Sequence, residues 1–131
     1  MRIMAIRVVQ LGTPRIPGEG LRLGTVRRPP RGVLRSEYAS RNFYDVWLPE
    51  LAPSAELVKI ALSAPDERQW GAFVRRYRTE MKRPAANRLV NLLAAFSQHT
   101  AFSVGCYCAD EARCHRSILK ALLAEHGAHL E

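Results

Sequence analysis

The sequence predicts an α/β protein, a single compact domain spanning residues 1–131 in which helices flank a small sheet and a C-terminal strand-loop-helix unit presents the site. Three observations carry this reading. A Val/Ile-rich run near the start, Met4–Leu11, and an apolar run near the end, Ala101–Tyr107, have the length and composition of strands. Between them, apolar residues recur at helical spacing. At 131 residues the chain is long enough for one hydrophobic core and too short for two ordinary domains.

The first strand ends where Gly12, Pro14, Pro17 and Gly18 crowd the chain. Leu21–Val26 alternates apolar and polar residues as a second strand before the basic, proline-stiffened loop Arg27-Arg28-Pro29-Pro30-Arg31-Gly32. That loop serves either as a solvated connector or as an arm that contacts an anion. Tyr38–Leu51 is rich in aromatic residues (Tyr38, Phe43, Tyr44, Trp47) and follows neither period, and Pro49 limits any helix through it.

Pro53-Ser54 opens a helix with Ser54 as N-cap, Glu56 in the first turn, and Leu57, Val58, Ile60, Ala61 and Leu62 following. Pro65-Asp66 opens a second, running to Lys82, whose Trp70, Phe73, Val74, Tyr77 and Met81 mark a core-facing stripe. Pro84 opens a third, with Leu89, Leu92, Leu93 and Phe96 on one face and an end near His99. The last helix runs from His115 to His126 with Ile118, Leu119, Leu122 and Leu123 inward and Gly127 as its stop. His126 and His129 fall in a tail expected to fray.

The formal net charge is +8, yet residues 101–131 carry three basic and four acidic side chains, so the excess lies in the first hundred residues. Such a surface attracts polyanions, and arginine offers planar, bidentate donors to phosphate. The 17 Arg against three Lys, with many Ala, are equally the codon habit of a GC-rich genome. No stretch approaches the ~18–20 consecutive apolar residues of a membrane span, and Arg7 interrupts the apolar N-terminal stretch with no small-residue cleavage site behind it. The expected compartment is the cytoplasm, and the odd count of three cysteines favours reduced thiols, a metal or a redox role over a secreted disulfide framework.

All three cysteines lie in Cys106–Cys114, just ahead of the last helix. Cys106 and Cys108 share a face if the strand runs through them, and the loop Ala109–Arg113 returns Cys114 to the helix start, at the carboxyl edge where open α/β sheets place ligands. The leading expectation is a pocket for a phosphate-bearing or other anionic ligand, with a cysteine-dependent enzyme as its catalytic form. In it Cys106 or Cys114 is the reactive thiol, His115 the proton carrier, Arg116 and Ser117 the anion donors, and Arg27 and Arg31 an outer clamp. Asp110 and Glu111 in the loop oppose a phosphate unless they face solvent. Ala112 and Cys114 occupy the positions where cysteine phosphatases and sulfurtransferases carry their loop arginine, which excludes that mechanism.

The other readings are a zinc site from Cys106, Cys108, Cys114 and His115, weakened by the lack of paired C-x2-C knuckles and by the need for neighbouring Cys114 and His115 to turn inward together; a redox pair of Cys114 with Cys106 or Cys108; and thiols that merely fill space. Beside these stand a non-enzymatic nucleic-acid-associated basic module, whose affinity would fall steeply with salt and ignore the thiols, and an oligomer built through Tyr38–Trp47. The motifs specify no cofactor and no oligomeric state.

The chain resembles the family known as domain of unknown function 488, which includes the YeaO-like bacterial and archaeal proteins. The resemblance rests on Pro30-Arg31-Gly32; Trp47 with Glu50-Leu51-Ala52-Pro53-Ser54 and Glu56-Leu57; Trp70, Phe73, Arg76, Tyr77 and Glu80; and an apolar strand with Cys106 followed by Cys114-His115-Arg116. It implies a compact α/β domain and marks Arg31, Cys106, Cys114, His115 and Arg116 as matches to the family's recurrent polar motifs, without supplying an activity. The chain differs in carrying Val26 and Pro29 where YeaO-like members tend to have Asp and Trp, and Cys108 where others have an acidic residue.

Overall fold

The computed structural model describes residues 5–62, 66–110 and 114–131. Met4, Pro65 and residues 111–113, to which the sequence assigned a strand start, a helix signal and part of the cysteine loop, lie outside them, as do the side chains of Ala61 and Leu62. Four strands, β1 (Ile6–Gln10), β2 (Leu21–Gly24), β3 (Val46–Trp47) and β4 (Phe102–Cys106), form one sheet in the order β1-β4-β2-β3, with every pair parallel. Among the described residues four α-helices accompany them: α1 (Ala55–Leu62), α2 (Glu67–Met81), α3 (Pro84–Phe96) and α4 (His115–Glu125). None of the described helices is long and apolar enough to cross a membrane.

The helices form where their caps and stripes place them. Asp66 caps α2 by accepting from the Gln69 N–H at 2.8 Å, and Phe73, Tyr77 and Met81 lie buried along its inner face. Ser54 caps α1 through Leu57 N–H at 3.3 Å. Its own backbone N–H and hydroxyl donate to the two carboxylate oxygens of Glu80 on α2, at 2.9 and 2.6 Å. Glu80→Ala is expected to lower stability by about 1.5–3 kcal/mol, because the Ser54 N–H loses a charged acceptor in a nearly closed site; urea denaturation measures it.

One sheet face packs Ile6, Leu23, Phe102 and Val104 against Leu57, Phe73, Tyr77, Leu93, Leu119 and Leu123 of the helices, forming the main core. On the other face, Thr13, Glu19, Asn42 and Tyr44, from the segments before and after β2, close over Arg22 and Gly24. There Arg22, fully buried, donates from Nε and Nη2 to the two oxygens of Glu19 at 2.9 and 3.1 Å and from Nη1 to the carbonyls of Thr13 and Asn42 at 2.8 and 2.9 Å. Ser103 of β4 donates to Glu19 as well, at 2.8 Å. Burial raises the cost of charging Glu19, but the Arg22 and Ser103 hydrogen bonds outweigh it and hold the carboxyl below its usual range.

Two expectations need correction. The Tyr38–Leu51 segment, without a readable period, supplies the edge strand β3, held by Asp45 N–H to the Arg22 carbonyl (2.7 Å) and Leu48 N–H to the Gly24 carbonyl (2.9 Å). The tail after Gly127 is docked, not frayed. His129 N–H donates to Ser97 Oγ (2.9 Å), while Ile6 N–H to the His129 carbonyl (2.8 Å) and Glu131 N–H to the Ile6 carbonyl (3.0 Å) lay it along the outer edge of β1. Of the aromatic segment, Tyr44 is buried against Tyr38 with ring centroids 5.4 Å apart, whereas Trp47 stays 39% exposed.

Candidate functional site

The strand ends Gln10, Gly24 and Cys106 meet at the carboxyl edge of the sheet, and the chain from β4 returns to the same edge to start α4. A smaller apolar cluster forms there from Val9, Leu11, Val26, Tyr44, Cys106 and Cys114. The end of β4 is clamped on both sides: Leu11 N–H donates to the Cys106 carbonyl at 2.8 Å, and Thr25 donates to the Gly105 carbonyl from its N–H (2.9 Å) and its hydroxyl (3.0 Å). Cys106 therefore leaves the sheet from a fixed point.

Cys114 is the N-cap residue of α4 and makes no side-chain cap bond, so its sulfur is free to turn inward, and His115 turns inward with it. The adjacency that counted against such a pair is accommodated because Cys114 has extended backbone (φ −126°, ψ 148°) and His115 is the first helical residue. Donor atoms of Cys106, Cys114 and His115 all lie within 4.8 Å of one another, and all three residues are buried.

Hydrogen bonding decides the His115 tautomer. Its Nε2 lies 2.6 Å from the Thr25 carbonyl and 3.3 Å from Thr25 Oγ1, whose own hydrogen goes to Gly105. Both neighbours are acceptors, so Nε2 carries the proton and the lone pair of Nδ1 faces Cys114 Sγ at 3.7 Å. Burial pushes the imidazole down to about 4, against the pull of the Thr25 carbonyl, and the ring is neutral at pH 7. The ring of Tyr77, whose hydroxyl donates to the Leu51 carbonyl at 2.7 Å, packs 5.6 Å from it.

The three thiols are free, and Cys108 is the exposed one. It lies within hydrogen-bonding reach of both Cys106 and Cys114, whose thiols hold it well below the usual thiol range despite the cost of partial burial. The same bonds to Cys108 raise Cys106 to about 11, and bonds to Cys106 and Cys108 push Cys114 up. The three thiols thus influence one another, with Cys108 lowered and Cys106 and Cys114 raised.

A cavity of about 560 Å³ opens above the cluster. The buried Cys106 and His115 form its floor, the exposed Cys108 stands on its wall, its rim carries Arg27, Arg28, Arg31 and Lys59, and Val26, Pro53, Val58 and Tyr107 supply apolar surface. The basic loop is tied down at two points. Tyr107 Oη donates to the Arg28 carbonyl at 2.9 Å, and Arg27 donates from Nε and Nη2 to the Pro53 and Ala52 carbonyls at 3.0 and 3.2 Å.

Of the residues expected at a site, Cys106, His115, Arg27 and Arg31 line this cavity, and Cys114 lies behind the floor. Arg116 and Ser117 do not line it. Arg116 is buried with Nη2 on the Cys108 carbonyl at 2.8 Å, so it shapes the thiol loop, and its Nε has no partner among the described residues. The Ser117 hydroxyl donates to the Cys114 carbonyl at 2.8 Å. Thr25, Tyr77 and Tyr107 were not expected at the site. Thr25 lies near the end of the second predicted strand and Tyr107 directly follows Cys106, positions that could have flagged them, whereas Tyr77 carried only a core signal.

Fold and site together define a small α/β protein with a thiol–imidazole cluster at the carboxyl edge of a parallel sheet. The family model for the active DUF488-N3 subclade (DUF488-N3a) matches residues 6–127. The chain belongs to the DUF488 family. No curated protein and no solved structure matches it.

Proposed function

We propose that the cavity binds a ligand bearing a phosphate or another compact anion, and that chemistry takes place at the thiol–imidazole cluster on its floor. The observation that carries this reading is the make-up of one cavity, in which the exposed Arg28 and Arg31 and the half-buried Arg27 share a lining with the exposed Cys108 and the buried Cys106 and His115. Guanidinium groups at a cavity mouth orient an anion by paired, charge-assisted hydrogen bonds. The apolar wall accepts the uncharged part of such a ligand, and the far end meets sulfur and a neutral imidazole. Each residue then has a role. Arg31, exposed, makes first contact; Arg27, anchored to Pro53, sets the loop; the cluster supplies the reacting groups. The name of the matching subclade, which calls it active, supports a catalytic rather than a purely structural cluster.

The test is thermal unfolding with inorganic phosphate and with nucleotides. Wild type should be stabilised by about 2.7 kcal/mol at a hundredfold excess over Kd. Arg31→Ala should weaken binding roughly tenfold or more, as expected for loss of a charged hydrogen bond of about 1.5–3 kcal/mol, while Arg68→Ala on the exposed side of α2 should not. Equal shifts in all three proteins would sink the assignment.

A further inference from the structure

We infer that Cys106, Cys114 and the Nδ1 of His115 form a binding site for a thiophilic divalent cation of the zinc class, with Cys108 as the fourth ligand. The inference deepens the reading above, since it rests on the same cavity floor and names the cofactor class that the floor would hold.

Geometry is the first argument. Zinc–sulfur and zinc–nitrogen bonds of about 2.3 and 2.0–2.1 Å at a tetrahedral angle place the two donor atoms roughly 3.6 Å apart. Cys114 Sγ and His115 Nδ1 are 3.7 Å apart, and Cys106 completes a triangle whose donor atoms all lie within 4.8 Å. A cation can enter this triangle with small side-chain movement.

Orientation is the second. An imidazole that binds metal through one nitrogen holds its ring by donating from the other, commonly to a backbone carbonyl. His115 does so: Nε2–H is fixed on the Thr25 carbonyl at 2.6 Å, which leaves the Nδ1 lone pair toward the sulfurs. Thr25 is itself locked to Gly105 of β4 by two hydrogen bonds, so the second shell is part of the sheet.

Charge is the third. Binding displaces the thiol protons to solvent, and a dication with three thiolates and a neutral imidazole carries a single net negative charge. Arg116, buried with its guanidinium on the Cys108 carbonyl, lies beside that charge. Cys106 and Cys114 are 1% and 2% exposed whereas Cys108 is exposed on the cavity wall. Three ligands are therefore fixed, and the fourth is the one a bound anion reaches.

The experiment is a titration of chelator-treated, reduced, full-length protein with cobalt(II), followed by zinc(II), under anaerobic conditions. A sulfur-to-cobalt charge-transfer band should grow to saturation at a single metal per chain and be abolished by zinc. Cys114→Ser should lose the band. Cys108→Ser should keep a metal with a changed spectrum and affinity reduced roughly tenfold or more. Absence of the band in wild type, with all thiols reacting equally fast with and without zinc, would overturn the inference, and this wild-type result decides even if Cys114→Ser fails to fold. Phosphate-induced stabilisation of the metal-free protein separates the two readings: an Arg31-dependent shift without metal binding removes the metal alone, and metal binding without any shift removes the anion pocket alone.

Discussion

Arg22→Met should destabilise the protein by about 3–5 kcal/mol, the usual cost of removing one partner from a buried ion pair. Both members are enclosed, with side-chain exposures of 0% and 2%, and Arg22 also satisfies the Thr13 and Asn42 carbonyls. The variant leaves the Glu19 carboxylate with Ser103 as its remaining side-chain donor. The double change Glu19→Leu with Arg22→Met should recover part of the loss, because the isolated charge disappears and two orphaned carbonyls remain. Urea denaturation at pH 7 measures both. The pH dependence has a definite sign. Because the folded-state value of Glu19 is lowered, its contribution is complete above the ordinary value of 4.5 and is lost as the pH falls below it through the folded-state value. The wild type and Arg22→Met curves should therefore converge on acidification. A gap that stays constant from pH 7 to pH 3 would mean that Glu19 is not the source.

Gly24→Ala should cost about 3 kcal/mol, at the upper end of ordinary overpacking. A Cβ at this position would lie 2.3 Å from Cδ2 of the Tyr44 ring and 2.8 Å from its Cγ. Tyr44 is 4% exposed and packed against Tyr38, so the ring cannot swing out freely. Strand β2 must shift instead, and the residue that directly follows it is Thr25, which holds His115. The variant should therefore lose both thermal stability and the fixed His115 tautomer, readable as a changed pattern of imidazole nitrogen shifts by NMR. Loss of stability with an unchanged imidazole spectrum would show that the strand absorbs the methyl group without moving Thr25.

The physical signals behind the legible parts of the chain were local. Asp66, Ser54 and Pro84 announce helices within one turn, and Phe73, Tyr77 and Met81 repeat at a period set by the helix itself. Strand β4 stood out because five successive residues are buried, which leaves a run of apolar and small residues without a charge. Strand β3 was invisible for the opposite reason: Val46 and Trp47 are both partly exposed, and their pairing is decided by β2, more than twenty positions earlier. The Glu19–Arg22 pair looked like ordinary loop charges, since nothing local reveals that Ser103 closes over it.

At the site, the meeting of the thiols at the carboxyl edge followed from a strand end and a helix start, but the inward turn of His115 beside Cys114 and the tasks of their neighbours did not. A basic residue and a serine after a helix cap suggest anion donors. In the fold the nearest acceptors are the chain's own carbonyls, at Cys108 and Cys114, and these claim Arg116 and Ser117.

Tyr107 stands between two cysteines in sequence and holds the arginine loop through the Arg28 carbonyl. A displacement of Cys108 is therefore transmitted to the rim of the cavity through a single rigid ring. Two equilibria, one at the sulfurs and one at the guanidinium groups, thus share a mechanical part. Reciprocity then requires that any occupant of the rim which changes the affinity of the floor by some factor has its own affinity changed by the same factor when the floor is filled.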